Sequence, residues 1–105
     1  MTDYIQVMTT IDKQELAEAI ARHLVDRRLA ACVQTVGPIT STYRWQGKVE
    51  TSGEWLSLAK CHRAMFPQVE AAIREVHTYD VPEIVAMPIV AGNEDYLSWL
   101  GEQIS

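Results

Sequence analysis

Ile39-Thr40-Ser41-Thr42-Tyr43-Arg44-Trp45-Gln46-Gly47-Lys48-Val49-Glu50-Thr51-Ser52-Gly53-Glu54-Trp55-Leu56 is the stretch that decides the fold of this 105-residue chain. Its Thr, Val, Tyr and Trp content favours strand, and Gln46-Gly47 in its middle reads as a tight hairpin turn. Upstream, Ala31-Cys32-Val33-Gln34-Thr35-Val36 extends the first arm as far as Gly37-Pro38. Pro38 has no amide hydrogen for a ladder, so it marks a bulge or an edge. Downstream, the second arm continues to Cys61, with Ser52-Gly53 as a second expected bulge. Each arm then has about 14 residues, roughly 45 Å at ~3.3 Å per residue. A domain of this length is only about 30 Å across. A straight hairpin must project beyond its own helices and carry Tyr43, Trp45, Val49, Trp55 and Leu56 with it. A strongly bent one would return them to the core. Projecting apolar strands invite pairing with other chains.

Working outward, Tyr4 to Met8 is a short first strand, and Leu16, Ala19, Ile20, His23, Leu24 and Arg27 recur at helical spacing across about 13 to 28. Asp12 with Glu15 reads as a capping box, with Asp in place of the usual Ser or Thr. A second helix is expected from about Ala64 to Val76, with Val69, Ala72, Ile73 and Val76 inward and Pro67 in its first turn. Glu83 to Val90 reads as a fourth strand. Gly92-Asn93 leads into a short helix that ends near Gly101. The order β-α-β-β-α-β-α makes the chain α+β, most economically a ferredoxin-like βαββαβ sandwich with an extra C-terminal helix. No linker, low-complexity tract or repeat interrupts it, so residues 1–105 read as one domain.

Hydrophobic residues make up 48% of the chain and charged residues 22%, with a formal net charge of -5. No Lys/Arg cluster opposes that acidity, which argues against nucleic acid and acidic lipid as partners. No apolar run approaches the roughly 20 residues of a membrane span. The first residues have no basic-then-apolar leader pattern, and two cysteines are too few for a disulfide scaffold. The expectation is a cytoplasmic protein with free thiols. Enzyme signatures are missing too: there is no Walker loop, dinucleotide glycine fingerprint, His-Glu-x-x-His or Gly-x-Ser-x-Gly elbow. No catalytic activity is expected.

Two places carry candidate chemistry. His77 follows the second helix, with Tyr79, Asp80 and Glu83 close behind. An imidazole with carboxylates can form part of a copper or zinc site. Equally, a His at a helix C-terminus interacts with the macrodipole while Asp80 and Glu83 stay solvated. Cys32 is either a small buried hydrophobe or a soft ligand. Carrying the Gln46-Gly47 turn down an unbulged ladder sets Cys32 opposite Cys61, within reach of one soft ion. Matched bulges would preserve that pairing and unmatched ones would break it. His62 then points to the opposite face from Cys61. Lys60 must reach water or meet a carboxylate such as Glu83. The aromatic residues Tyr43, Trp45, Trp55, Tyr79 and Trp99 serve hairpin and interface packing or line a cleft between subunits.

Ala30-Ala31-Cys32-Val33, Thr42-Tyr43-Arg44-Trp45-Gln46-Gly47-Lys48-Val49-Glu50, His77-Thr78-Tyr79-Asp80-Val81-Pro82-Glu83-Ile84 and Gly92-Asn93-x-x-Tyr96-Leu97-x-Trp99 together resemble the CutA divalent-cation tolerance family along essentially the whole chain. The resemblance implies a ferredoxin-like fold assembled as a homotrimer through its long hairpins. It also implies a role in tolerance of divalent metals, copper above all, with Cys32, His77 and Glu83 as the candidate metal ligands. The trimer of that family is similar to that of the PII signalling proteins, so a small organic effector or a partner protein is the alternative to a metal. A trimeric scaffold with an indirect metal phenotype is a third reading. Two positions depart from the family pattern. Its His-Pro-Tyr-Glu segment reads His77-Thr78-Tyr79-Asp80, and Cys61-His62 stands where small hydroxyl residues are usual.

Overall fold

Burial alternates along the first strand. Ile5, Val7, Thr9 and Ile11 turn inward, so one face of the sheet is committed to a core. The computed structural model describes residues 1–104. Its elements are β1 (Tyr4–Ile11), α1 (Gln14–Asp26), β2 (Cys32–Trp45), β3 (Lys48–His62), a 3-10 turn (Arg63–Met65), α2 (Phe66–Val76), β4 (Ile84–Pro88) and α3 (Glu94–Gln103). The sheet is antiparallel with strand order β2-β3-β1-β4, the ferredoxin-like arrangement. Ala17, Ile20 and Leu24 of α1 and Val69, Ala72 and Ile73 of α2 pack on Ile5, Val7, Ile11, Ala59 and Cys61. The three- and four-residue spacing gives each helix one apolar stripe. Fully burying an Ile or Leu there contributes about 1.5–3 kcal/mol.

The expected capping box does not form. The cap position falls on Lys13, whose backbone is extended, and no side chain bonds there. Asp12 stands one residue outside the helix, which leaves Glu15 without its reciprocal partner. At the other end Arg28 adopts φ 59. There the Arg28 amide bonds the Val25 carbonyl at 3.0 Å, and the Leu29 amide bonds that of Leu24 at 3.0 Å. This is the usual left-handed closure of a helix.

The hairpin is long and straight, and the molecule measures 45 × 25 × 23 Å. Gln46 (φ 50) and Gly47 (φ 81) both lie in the left-handed region, as a two-residue hairpin turn requires. Pairing is regular from Trp45↔Lys48 to Ile39↔Glu54, slips between Val36 and Ile39, and resumes from Val36↔Leu56 to Cys32↔Lys60. The bulge at Gly37-Pro38 is therefore real. The one expected at Ser52-Gly53 is not, because Ser41↔Ser52 and Thr40↔Gly53 pair directly.

That single unmatched residue overturns the Cys32/Cys61 pair. Cys32 faces Lys60, and Cys61 faces Ile5 on the other side of β3. A one-residue slip moves a side chain to the opposite face of the sheet. Cys61 thus lies in the core beneath the helices, while Cys32 lies on the open face. The Lys60 ammonium donates to Gln34 Oε1 at 2.8 Å at an exposed site, rather than to Glu83.

The open face carries Tyr4, Gln6, Met8 and Thr10 of β1, opposite His62, Lys60, Leu58 and Leu56 of β3. Met87 and Val85 of β4 stand beside Gln6 and Met8. Among the described residues, α3 covers the end of this face at Tyr4 and Cys32. There Gly101 lies against the Tyr4 hydroxyl, where a Cβ would not fit. Tyr96 sits beside Cys32, and Arg28 reaches the carbonyls of Glu102 and Gln103 at 3.2 and 3.3 Å.

Candidate functional site

The segment that leaves α2 builds the best-defined polar constellation of the molecule. The His77 amide closes the helix on the Ile73 carbonyl at 2.9 Å, and the chain then turns extended. His77 Nε2–H donates to the Thr10 carbonyl at 2.8 Å, while Nδ1 accepts the Tyr79 amide at 3.1 Å. A carbonyl can only accept and an amide can only donate. The neutral Nε2–H tautomer is therefore fixed by its partners. The His77 and Tyr79 rings meet edge to face at 4.7 Å. The Tyr79 hydroxyl then donates to Glu54 Oε2 at 2.7 Å. Burial first, and the Glu54 carboxylate second, hold the Tyr79 phenol well above the usual tyrosine range. Thr10, His77, Tyr79 and Glu54 form one chain of bonds that ties β1, the segment after α2, and β3.

Glu54 sits on the open face, where the sheet passes into the projecting hairpin. A groove of ≈ 590 Å³ opens beside it, with Tyr43, Trp45, Asp80, Glu83 and Thr10 around it. Tyr43 and Trp45 come from the same face of the hairpin as Glu54, because Tyr43↔Glu50 and Ile39↔Glu54 are paired in alternating register. The Tyr43 hydroxyl is 3.3 Å from Ser52 Oγ.

The structure sets the three sequence-nominated metal ligands apart. Cys32 is half-buried at the α3 end, at the level of Gln6 through Lys60. His77 bonds Thr10, four residues along β1 and roughly 13 Å away by strand rise alone. Glu83 is exposed at the groove rim. Among the described residues, no three His, Cys, Asp or Glu side chains converge as an ion's ligands. Both nitrogens of His77 are already bonded, so an ion would have to displace Thr10 or Tyr79 to reach it. Cys61 is fully buried, and burial pushes its thiol up to about 11, away from the thiolate that binds metals. His62 spends Nδ1 on the Ala64 amide at 3.0 Å and its ring on Tyr4 at 5.7 Å, on the face opposite Cys61 as expected. One protomer alone therefore does not fit a copper ion.

Sequence reasoning missed Glu54. A carboxylate inside an alternating strand gives no sign of whether it is buried, because its partner Tyr79 lies 25 residues away. Its position directly before Trp55 and Leu56, in the rise from hairpin to core, was the only available signal.

Residues 5–103 match the family described as CutA1 divalent ion tolerance protein. The chain is 48% identical over 96 residues to a divalent-cation tolerance protein CutA of Thermus thermophilus, covering 91% of this chain and 93% of that one. It is 41% identical over 91 residues to Protein CutA of Homo sapiens, covering 87% of this chain but only 51% of the longer human protein. The fold superposes on the divalent cation tolerance protein structure from Thermus thermophilus with a TM-score of 0.94, at 45% identity, covering 97% of this chain and 99% of that one. The structure described as the periplasmic divalent cation tolerance protein CutA from Archaeoglobus fulgidus also gives 0.94, at 33% identity, covering 97% and 99%.

Proposed function

We propose, from the premise that this chain belongs to the CutA1 divalent ion tolerance family, that it works in divalent-cation tolerance as a homotrimer that holds copper where its copies meet. One observation carries the proposal: beyond the end under α3, the open face of the sheet carries a largely apolar area that no described residue covers. Val36, Val85 and Met87 are exposed there, and Met8, Leu56 and Leu58 are half-buried. Val49 stands out from the back of the hairpin at 64% exposure. An apolar sheet face of this kind marks a surface for another protein. The long hairpin supports a second copy as the occupant, because it projects beyond its own helices and offers strand to a neighbour.

Separated donors on one protomer fit the same reading. Cys32, on the open face, would meet donors from a neighbour, and a thiol suits copper better than carboxylate does. His77 serves the fold and Glu83 stands at a rim, so we assign the soft ligand to Cys32. The reading contains no catalytic step. Two free cysteines and no helix long and apolar enough to cross a membrane agree with the cytoplasmic placement we propose, although one relative is described as periplasmic.

The test is copper titration of the reduced, metal-free protein by calorimetry, with mass from light scattering. We expect a particle of about 35 kDa, three times the 11.8 kDa chain. Copper binding should be lost in Cys32→Ser and retained in Cys61→Ala. A monomeric protein, or copper binding indifferent to Cys32→Ser, would overturn the proposal.

A further inference from the structure

Glu54 carries a charge that its surroundings do not match. It is 6% exposed and accepts one hydrogen bond, from the Tyr79 hydroxyl. Among the described residues no Lys, Arg or His forms an ion pair with it. A buried carboxylate without a cation is costly, and proteins normally supply one. The open side of Glu54 is the ≈ 590 Å³ groove, a volume in the range of small-molecule sites. Asp80 and Glu83 add negative charge at the rim, Trp45 and Tyr43 add aromatic walls, and no basic residue is among its lining.

We propose that this groove binds a small organic cation, a primary ammonium or guanidinium on a short apolar stem, with Glu54 as its charge partner and Trp45 and Tyr43 as its aromatic wall. The donor set speaks against a bare metal ion, which needs several ligands converging on one point. Here the carboxylates are spread around a wide groove and do not converge. An ammonium is larger and more weakly hydrated. It gains from an aromatic face within about 6 Å and from a single hydrogen-bonded carboxylate. An anion would meet three carboxylates, and a neutral ligand would leave Glu54 unmatched. Tyr79 is a positioning residue. Its hydroxyl fixes Oε2 and leaves the other oxygen of Glu54 for the ligand, and His77 fixes Tyr79 in turn.

The site uses no thiol or free imidazole, so it stands apart from the copper reading. Cys32→Ser should bind the organic cation as the parent does, whatever becomes of copper. The probe is n-butylammonium, titrated calorimetrically into the full chain with a chelator present, with n-butanol and butyrate as neutral and anionic controls. We expect saturable binding of n-butylammonium and none of the controls. Affinity should fall about tenfold or more in Glu54→Gln, which keeps an acceptor for Tyr79, and several-fold in Trp45→Ala. Trp45 and Asp80 are exposed, so Trp45→Ala and Asp80→Asn carry the test should Glu54→Gln fail to fold. No saturable binding by the parent, or affinity unchanged in Glu54→Gln and Trp45→Ala, would overturn the proposal. So would binding that appears only after Arg44→Gln and Lys48→Gln together, which would assign the groove to a hairpin cation of another copy.

Discussion

Replacing His77 with alanine separates a ligand from a structural lock. The imidazole makes two hydrogen bonds, to the Thr10 carbonyl at 2.8 Å and from the Tyr79 amide at 3.1 Å. Each is worth about 1 kcal/mol net, and its loss leaves a part-buried backbone group unpaired. The edge-to-face contact with Tyr79 at 4.7 Å adds about 0.5–1 kcal/mol. His77→Ala should therefore cost about 2–3 kcal/mol of folding stability in protein stripped of metal. His77→Gln, which keeps one donor, should cost less. The assay is urea unfolding followed by far-UV circular dichroism, in chelator and at one fixed protein concentration, because assembly makes stability concentration-dependent. The denaturant slope should stay constant while the midpoint falls. A loss below about 0.5 kcal/mol, or a loss that appears only when copper is added, would refute this account. Either result would return His77 to the ligands.

Thr9 Oγ1 and Ser57 Oγ are buried, directly opposed across β1 and β3, and without a partner among the described residues. Thr9→Val keeps the shape and removes one orphan hydroxyl, so it should stabilise by about 1 kcal/mol in urea unfolding, with Ser57→Ala neutral or slightly stabilising. Destabilisation by Thr9→Val would mean the pair is satisfied in solution. Cys61 gives a pH effect. The unfolded chain releases its thiol proton near 9.0 while the native chain holds it to about 11, so unfolding becomes easier as pH rises through that window. The loss is about 2 kcal/mol by pH 11, on the order of 1.4 kcal/mol per pKa unit. Cys61→Ala should lack that part of the decline, measured as the difference between the two proteins at pH 8 and pH 11. The raised Tyr79 phenol adds a further loss at high pH that both proteins share. Finally, a Cβ on Gly37 would run into the Trp55 indole. Gly37→Ala should cost about 1–3 kcal/mol and shift the tryptophan emission.

What the residues disclosed in advance was whatever depends on near neighbours. Gln46-Gly47 between two β-branched and aromatic arms specified the turn, and the arms' length specified the projection. Leu16, Ile20 and Leu24 specified a helix and its inward stripe, although Ala17 rather than Ala19 completes its buried side. Asp12 misled at one residue's resolution. A cap depends on where the strand before it releases the chain, and Ile11 is held in β1 up to its pairing with Trp55. The His77–Tyr79–Glu54 chain was half visible. His77 and Tyr79 stood out as polar groups after a helix, but their partners Thr10 and Glu54 come from strands 67 and 25 residues away. No local pattern encodes such contacts.

The hairpin shows how far one residue can carry. Its turn and its bulge at Gly37-Pro38 were both readable. Whether β3 held a matching bulge was not, because Ser52-Gly53 pairs as well in a regular ladder as in a bulged one. A matched pair of bulges would have set two thiols side by side on one face, a ready site for a soft ion. Cys61 lies in the core through its pairing with Ile5, where burial holds its proton, and the unmatched bulge turns Cys32 to the open face, away from it. Glu54 stands on the turn side of that bulge, and its place on the open face comes from the regular β1–β3 ladder, in which Trp55 faces Ile11. The separation of the thiols follows from one inserted residue in β2. Inserting one residue between Val33 and Gln34, with the bulge kept, should thus do more than lengthen a strand. It should shift Val33 and Cys32 by one place along β3, exchange their faces, and bring Cys32 opposite Cys61. Thiol–thiol crosslinking with a short bifunctional reagent should then join Cys32 and Cys61 within one chain in the insertion variant and not in the parent. Equal crosslinking in both proteins would refute the register on which this reading of the site depends.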